Sequence, residues 1–299
     1  MVIADRRSVL TGLGALGLLG CAPKASPAAA SAPAVPEAFD LSALEAEHGG
    51  RLGFFAHDLG SGRQLTARGD ERFVYCSTFK MYLAAAILMR VQAGQERLDR
   101  AIPITRADML DHAPVTGPAV GESLTVEQLM KGTVEVSDNP AANLLLKALG
   151  GLDAMRAFYR GIGDVSTRVD RFEPEMNRLD GDKDTITPGQ SAANLHRLFV
   201  DPTSPLSAES KTMLLGWMFT SPTGVDRLKA GVTAGWRVAH KTGTGGYGPT
   251  NDIGILYPPT GDPIIVVAYY HAGRDTSDAR NAAVIAQATR MALTRLGRA

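Results

Sequence analysis

The chain has 299 residues, of which 44% are hydrophobic, enough to build one large or two modest domains. Its 31 basic residues are balanced by 31 acidic ones, so it lacks the basic surplus typical of proteins that bind nucleic acid or an anionic membrane surface. A small-molecule partner is therefore favoured. Two cysteines, Cys21 and Cys76, supply neither a thiolate metal cluster nor a disulfide framework, and the sequence has no His-x-x-x-His pair. The composition favours a mechanism without metal or cofactor.

Residues 1–21 resemble an export signal. Arg6 and Arg7 precede an apolar run over residues 9–20, which is shorter than the roughly 20 apolar residues of a stable membrane anchor. The paired arginines favour the twin-arginine export route, with an ordinary secretion signal as the alternative. The run ends in Leu-Leu-Gly-Cys21, which resembles a bacterial lipobox, although simple cleavage nearby is also open. We expect an exported, periplasmic protein that contacts a membrane through a lipid on Cys21.

The folded part is predicted to begin at Glu37, after a proline-rich tether. Residues 22–36 contain four prolines among alanines and serines and cannot build a core. Arg51–Asp58 is typical of a strand, and Gly-Ser-Gly predicts the turn to a second strand over residues 63–68. A hairpin therefore opens a sheet.

Helical and strand patterns separate along the rest of the chain. Predicted helices span residues 124–136, 140–149, 152–162 and 188–200. Strand patterns return at 236–242, 251–257 and 263–270, before a helix over 277–296. We predict an α/β (α+β) fold with two lobes: an antiparallel sheet built from both chain ends and flanked by helices (about 37–75 and 220–299), and an inserted all-helical lobe (about 76–219). The cleft between such lobes is a common place for an active site.

A possible nucleophile lies at the start of a predicted buried helix, in the sequence Tyr75-Cys-Ser-Thr-Phe-Lys80. Residues 81–89 are apolar and are good helix formers, which indicates a helix buried on nearly all sides. Residues three apart share a helix face, so Ser77 and Lys80 would point the same way. The amine could take the serine proton, and a helix N-terminus favours developing negative charge. Ser-x-x-Lys is short enough to occur by chance, so it decides nothing alone.

Three further stretches could meet this serine in the cleft. Ser137-Asp-Asn139 precedes a helix, where its side chains could line the cleft or simply cap the helix. Glu173 and Asn177 could aim a carboxylate and an amide at one water, or could belong to a solvated loop. Lys241-Thr-Gly-Thr244 ends a strand, where the glycine would let a ligand lie against the backbone and the polar groups could bind an anion; a solvated lysine is the alternative.

Taken together and in this order, Ser-x-x-Lys, Ser-Asp-Asn, Glu-x-x-x-Asn and Lys-Thr-Gly resemble the class A serine β-lactamases of the penicillin-binding protein superfamily. Residues 137–146 and 167–177 agree as well, and the resemblance covers residue 37 to the C-terminus. It implies a monomeric hydrolase that opens β-lactam antibiotics, penicillins and some cephalosporins, through a covalent acyl-serine and so confers resistance.

The resemblance also implies a catalytic role for each matching residue. Ser77 would attack the lactam carbonyl, and either Lys80, or Glu173 through a water, would take its proton. Ser137 would relay a proton to the leaving nitrogen. Glu173 and Asn177 would position the water that hydrolyses the acyl-enzyme.

Substrate-binding roles follow from the same resemblance. The backbone amides of Ser77 and Thr244 would form the oxyanion hole. Asn139 would hold the side-chain amide of the antibiotic. Its carboxylate would meet Thr242 and Thr244, flanked by Lys241 and Gly243. An ion pair between Arg171 and Asp184 would tie the loop that carries Glu173.

Departures from the family pattern bear on the substrate spectrum. Thr250 stands where well-known penicillinases carry an arginine, and Arg227 is inferred to supply that guanidinium instead. Cys76 precedes the nucleophile, as in carbapenemase members, but Gly245 stands where those have a second cysteine, so their disulfide would be absent. His112 takes the place of a common aromatic at the cleft rim.

Two other functions remain open from the sequence. A D,D-peptidase or penicillin-binding protein shares three of the motifs but releases its acyl group slowly, and the pair Glu173 and Asn177 argues against it. A non-enzymatic β-lactam sensor is disfavoured because every catalytic position is present.

Overall fold

The computed structural model describes residues 35–246, 248–273 and 276–298. The predicted export signal over residues 1–21 and nearly all of the predicted tether over 22–36 lie outside these residues. Within the described ranges, no helix has the length and apolar character that a membrane span requires.

The described residues form ten strands, eight α-helices and four short 3-10 helices. The strands are β1 (Glu37–Ala38), β2 (Arg51–Asp58), β3 (Gln64–Ala67), β4 (Phe73–Val74), β5 (Ala101–Pro103), β6 (Ser123–Thr125), β7 (Thr185–Ile186), β8 (Arg237–Thr244), β9 (Pro249–Tyr257) and β10 (Ile264–His271). The α-helices are α1 (Ser42–His48), α2 (Phe79–Gln92), α3 (Val126–Glu135), α4 (Asn139–Leu149), α5 (Gly151–Gly161), α6 (Pro188–Phe199), α7 (Ala208–Thr220) and α8 (Asp278–Leu296). The 3-10 helices are Cys76–Thr78, Arg106–Asp108, Glu175–Asn177 and Leu228–Gly231.

The main sheet has six strands in the order β1-β3-β2-β10-β9-β8. It therefore joins the first strands of the chain to the last ones, which confirms the predicted fold. The central pair β2 and β10 is antiparallel over eight residue pairs, from Arg51 opposite His271 to Asp58 opposite Ile264. One edge differs from the prediction, because the two-residue strand β1 runs parallel to β3.

A hydrophobic core lies on each face of this sheet. On one face, apolar residues of the sheet pack against α1 and α8. On the other face, the sheet packs against the helices, among them α2. Every residue from 79 to 88 is buried, including Lys80, so α2 is enclosed as predicted. Enclosing a lysine requires buried polar partners, and these make up the candidate site.

Strand β8 forms one edge of the sheet and packs directly on the turn Cys76–Thr78. A Cβ atom at Gly243 would lie 2.7 Å from the carbonyl oxygen of Tyr75 and 3.0 Å from the amide nitrogen of Thr78. The glycine of Lys-Thr-Gly is thus required by the approach of this turn, in addition to the ligand contact that the sequence suggested. The close packing sets the serine turn beside the strand edge.

Candidate active site

Ser77 lies in the 3-10 turn that leads into α2. The turn is closed at Tyr75, whose carbonyl oxygen accepts hydrogen bonds from the amide nitrogen of Thr78 at 3.2 Å and from its Oγ1 at 2.8 Å. Ser77 is 8% exposed, so it can be reached from solvent. Its Oγ donates a hydrogen bond to Glu173 Oε1 at 3.4 Å, which is long for this pair of atoms. Ser77, the candidate nucleophile, is therefore in contact with a carboxylate 96 residues away in the chain.

Lys80 lies one helical turn beyond Ser77 and is fully buried. Its Nζ is 3.0 Å from Glu173 Oε1 and donates to the carbonyl oxygen of Ser137 at 2.7 Å and to Asn139 Oδ1. Burial lowers the pKa of Lys80, and the neighbouring Glu173 carboxylate opposes that shift. Both groups that could accept the serine proton are thus within one buried cluster.

Ser137 places its hydroxyl between two lysines. Its backbone has a φ of 62°, an uncommon left-handed conformation for a residue with a side chain. The Oγ atom lies 3.3 Å from Lys80 Nζ and 3.1 Å from Lys241 Nζ. The three side chains form a continuous hydrogen-bonded path from the nucleophile helix to the sheet edge.

The two open interpretations of Ser137-Asp-Asn139 both apply, each to a different residue. Asp138 caps α4, because its Oδ1 accepts the amide of Ala141 at 2.8 Å. Ser137 and Asn139 line the cleft. The Nδ2 of Asn139 donates to the carbonyl oxygen of Asp111 at 2.9 Å, which orients its amide.

Glu173 and Asn177 meet as their spacing predicts. The turn Glu175–Asn177 is helical, and Asn177 Nδ2 donates to Glu173 Oε2. Arg171 Nε lies 2.6 Å from Asp184 Oδ2, which is the ion pair expected to tie this loop. The Glu173 side chain is buried, so its carboxylate is directed at Ser77 and Lys80 and away from solvent.

Asn143 was missed by the sequence reasoning. Its Nδ2 donates to the carbonyl oxygen of Glu173 at 2.9 Å, and its Oδ1 accepts the Glu173 amide at 3.0 Å. This double hydrogen bond fixes the backbone of Glu173 against α4. The sequence did contain one indication of this role, because Asn143 follows Asn139 by four residues and so lies on the same face of the predicted helix.

Lys241 enters the site from β8 and is fully buried. Burial, reinforced by the positive charge of Lys80, holds the pKa of Lys241 well below its usual range. Within the described ranges, Lys241 has no carboxylate oxygen within 4.0 Å, in contrast to Lys80. The Oγ1 of the next residue, Thr242, lies 2.8 Å from Thr223 Oγ1.

Arg227, which precedes the 3-10 helix Leu228–Gly231, also contacts strand β8. Its Nη2 donates to Thr244 Oγ1 at 2.8 Å, and its Nη1 donates to the carbonyl oxygens of Gly243 at 3.1 Å and Asn251 at 2.8 Å. Thr250, directly opposite Thr244 in the strand register, has a short side chain that supplies no cation. The guanidinium thus lies beside the hydroxyl of Thr244.

The amide of Thr244 points away from the neighbouring strand. Gly245 donates its amide to the carbonyl oxygen of Pro249 at 2.9 Å, and hydrogen-bonded residues alternate along an antiparallel strand. The amide of Thr244 is therefore directed to the free edge of β8, on which the serine turn packs.

At least one residue of each of the four motifs lines a cavity of about 270 Å³. It is lined by Ser77, His112, Ser137, Asn139, Asn177, Thr223, Gly224, Arg227, Thr242, Gly243 and Thr244. A larger cavity of about 510 Å³ lies between β2 and α6 and contains none of the motif residues. We therefore assign the chemistry to the smaller one.

Two departures from the family pattern can be located at the edge of this cavity. His112 is exposed at the rim, and its Nε2 lies 2.7 Å from the carbonyl oxygen of Val136. Cys76 is buried with a free thiol, and a Cβ at Gly245 would lie 3.1 Å from its sulfur. The position of a second cysteine is thus adjacent, but glycine occupies it.

Comparisons with known proteins show the family of the chain. The family model described as "Beta-lactamase enzyme family" matches residues 38–296. The protein named "Beta-lactamase L2" from Stenotrophomonas maltophilia is 43% identical over 270 residues, which cover 88% of each chain. The "Carbapenem-hydrolyzing beta-lactamase KPC" from Klebsiella oxytoca is 40% identical and covers 85% of this chain and 87% of its own.

A solved structure gives the same assignment. An ancestral class A β-lactamase superposes with a TM-score of 0.82 at 47% identity, covering 85% of this chain and 98% of its own. Its class agrees with the four motifs and with their convergence on one cavity. The chain therefore belongs to the β-lactamase enzyme family and is a class A serine β-lactamase.

Proposed function

We propose that the protein hydrolyses β-lactam antibiotics, penicillins and some cephalosporins, through an acyl-enzyme on Ser77, and thereby confers resistance. Family membership supports the reaction class. The observation that carries the mechanism is the buried cluster in which Glu173 Oε1 lies 3.4 Å from Ser77 Oγ and 3.0 Å from Lys80 Nζ. A nucleophile and two candidate bases in one cluster can both form and release an ester.

In the acylation step, Ser77 Oγ attacks the lactam carbonyl carbon and the ring carbon–nitrogen bond breaks. The hydroxyl proton passes to Lys80, or to Glu173 through a water. The amides of Ser77 and Thr244 hold the oxyanion, and one such donor is worth roughly 3 kcal/mol. The path from Lys80 and Lys241 through Ser137 Oγ supplies a proton to the leaving nitrogen.

In the deacylation step, Glu173 and Asn177 hold a water against the ester carbonyl. The water gives a proton to Glu173 and its oxygen attacks the carbonyl carbon. The ester bond to Ser77 then breaks, and the leaving Ser77 Oγ takes up a proton from the Lys80 and Glu173 cluster, which restores the hydroxyl. The hydrogen bond from Asn177 Nδ2 to Glu173 Oε2 leaves Oε1 directed at Ser77, which supports this role.

Two sets of residues on opposite walls of the cavity would bind the substrate. The ammonium of Lys241, the hydroxyls of Thr242 and Thr244 and the guanidinium of Arg227 bind the substrate carboxylate, because two buried cations here attract an anion. Asn139 binds the side-chain amide of the antibiotic from the opposite wall.

Turnover of a chromogenic cephalosporin by the purified protein tests this function. We expect hydrolysis by the native chain and none by Ser77→Ala. Absence of turnover at every pH would contradict the proposal, and a stable adduct on Ser77 in the intact mass spectrum would instead identify a penicillin-binding protein.

We also infer that the protein is exported by the twin-arginine route and is held in the periplasm as a monomer by a lipid on Cys21. Arg6, Arg7 and the Leu-Leu-Gly-Cys21 sequence support this proposal. The mass of the native N-terminal peptide tests it: an unmodified residue at that end would exclude the anchor.

A further inference from the structure

The loop that carries Glu173 is anchored at a buried carboxylate. Asp184 is fully buried, and its side chain accepts four hydrogen bonds. Three come from the loop itself: the amides of Asp170 at 2.7 Å and Arg171 at 3.0 Å, and Arg171 Nε at 2.6 Å. The fourth comes from the hydroxyl of Tyr75 at 3.2 Å. We call residues 168–184 the Glu173 loop.

Tyr75 belongs to the nucleophile segment, two residues before Ser77. Its amide donates to the carbonyl oxygen of Asp184 at 3.2 Å, and its own carbonyl closes the Ser77 turn through Thr78. The side chain is 1% exposed. Burial and the Asp184 carboxylate raise the pKa of Tyr75 well above its usual range, so the hydroxyl stays protonated and donates. One residue therefore contacts Asp184 and shapes the turn that presents the nucleophile.

We propose that Tyr75 is a positioning residue, whose hydroxyl fixes the Glu173 loop to the turn that carries Ser77. The inference rests on the proposed function, since it assumes that Glu173 acts in deacylation. The Arg171–Asp184 ion pair closes the loop within itself and would survive without Tyr75. The Tyr75 hydroxyl adds a side-chain tie from the loop to the nucleophile, and so constrains the distance from Ser77 to Glu173.

The variant Tyr75→Phe removes this hydroxyl and keeps the buried ring. We expect the rate constant for decay of the acyl-enzyme to fall about 3- to 10-fold, the range that corresponds to one lost hydrogen bond. When deacylation limits turnover, kcat and KM fall together, while kcat/KM changes less. We also expect faster amide hydrogen exchange in residues 168–184.

Tyr82→Phe is the matched control. Tyr82 is equally buried on α2, and its hydroxyl lies 2.9 Å from Ser191 Oγ, remote from Asp184. This variant should lose comparable stability and keep the native deacylation rate and loop exchange. The proposal is overturned if Tyr75→Phe deacylates at the native rate, or if Tyr82→Phe slows deacylation to the same extent.

Failure of the proposed function can be told apart from failure of this inference. The rate of amide hydrogen exchange in residues 168–184 measures whether the Tyr75 hydroxyl holds the Glu173 loop, and it requires no assumption about the catalytic role of Glu173. If Tyr75→Phe loosens the loop but Glu173→Gln turns over normally, the catalytic role of Glu173 is wrong. If the loop is not loosened, the positioning role of Tyr75 is wrong.

Discussion

The two walls of the cleft differ in whether a buried positive charge has a carboxylate beside it. On the nucleophile wall (Ser77, Lys80 and Glu173), Lys80 Nζ lies 3.0 Å from a carboxylate oxygen. On the sheet wall (Lys241, Thr242, Thr244 and Arg227), two cations are buried without any carboxylate oxygen within 4.0 Å in the described part of the chain. Both lysines are fully buried, and burial lowers the pKa of each. Glu173 opposes that shift at Lys80, whereas at Lys241 the positive charge of Lys80 adds to it and the Asp252 carboxylate opposes it.

This difference separates two tasks that one site must perform. A balanced amine and carboxylate can exchange a proton without leaving a buried charge uncompensated. Two cations without a paired carboxylate are instead stabilised when an anion binds, which is why the proposed function assigns the substrate carboxylate to the sheet wall. Ser137 joins the two walls because its hydroxyl contacts both lysines.

Removing the carboxylate from the nucleophile wall should have the largest effect. Glu173→Gln keeps the shape but cannot accept a proton, so deacylation should fall by roughly 10²- to 10⁴-fold. Intact mass spectrometry should show an adduct accumulating on Ser77. Glu175→Gln, exposed two residues farther along the loop, is the control and should turn over normally. Normal turnover by the Glu173→Gln enzyme would show that Glu173 is not the proton acceptor in deacylation.

Removing one cation from the sheet wall should weaken binding more than chemistry. Arg227→Ala loses charge-assisted hydrogen bonds at the carboxylate position, so kcat/KM should fall about 10- to 100-fold, mainly through KM. Arg237→Ala, an exposed arginine at the other end of β8, is the matched control. An Arg227→Ala enzyme with native KM and reduced kcat would place the guanidinium in the chemical step instead.

The titration of Lys241 should have the smallest effect on activity, seen only as a shift in the pH dependence of kcat/KM. Burial lowers the pKa of Lys241, so its ammonium is lost as the pH rises through a value below that of an ordinary lysine, and kcat/KM should fall there. Lys241→Arg keeps the charge at all these pH values. In the Lys241→Arg enzyme, the fall of kcat/KM at high pH should therefore move to higher pH, while its fall at low pH stays in place. If the fall at high pH does not move, it is caused by another group, such as Lys80.

Much of the fold could be predicted because its signals are local. Asp138 caps α4 and Thr187 caps α6, and the predicted starts at residues 140 and 188 fall within one residue of the observed ones. Helix α7, Ala208–Thr220, was not predicted as a separate element, because it lacks a clear apolar face. The parallel pairing of β1 could not be predicted, since two residues carry no periodic pattern.

The sequence by itself determined which side chains separated by one helical turn lie together, because helix geometry sets the direction in which they point. Ser77 with Lys80 and Glu173 with Asn177 are of this kind. Tertiary structure decided every contact between distant segments. The hydrogen bonds from Asn143 to Glu173 and from Tyr75 to Asp184 join residues 30 and 109 positions apart, and no local pattern encodes them. The tertiary fold likewise placed Lys80 beside a carboxylate and left Lys241 with no carboxylate oxygen within 4.0 Å among the described residues.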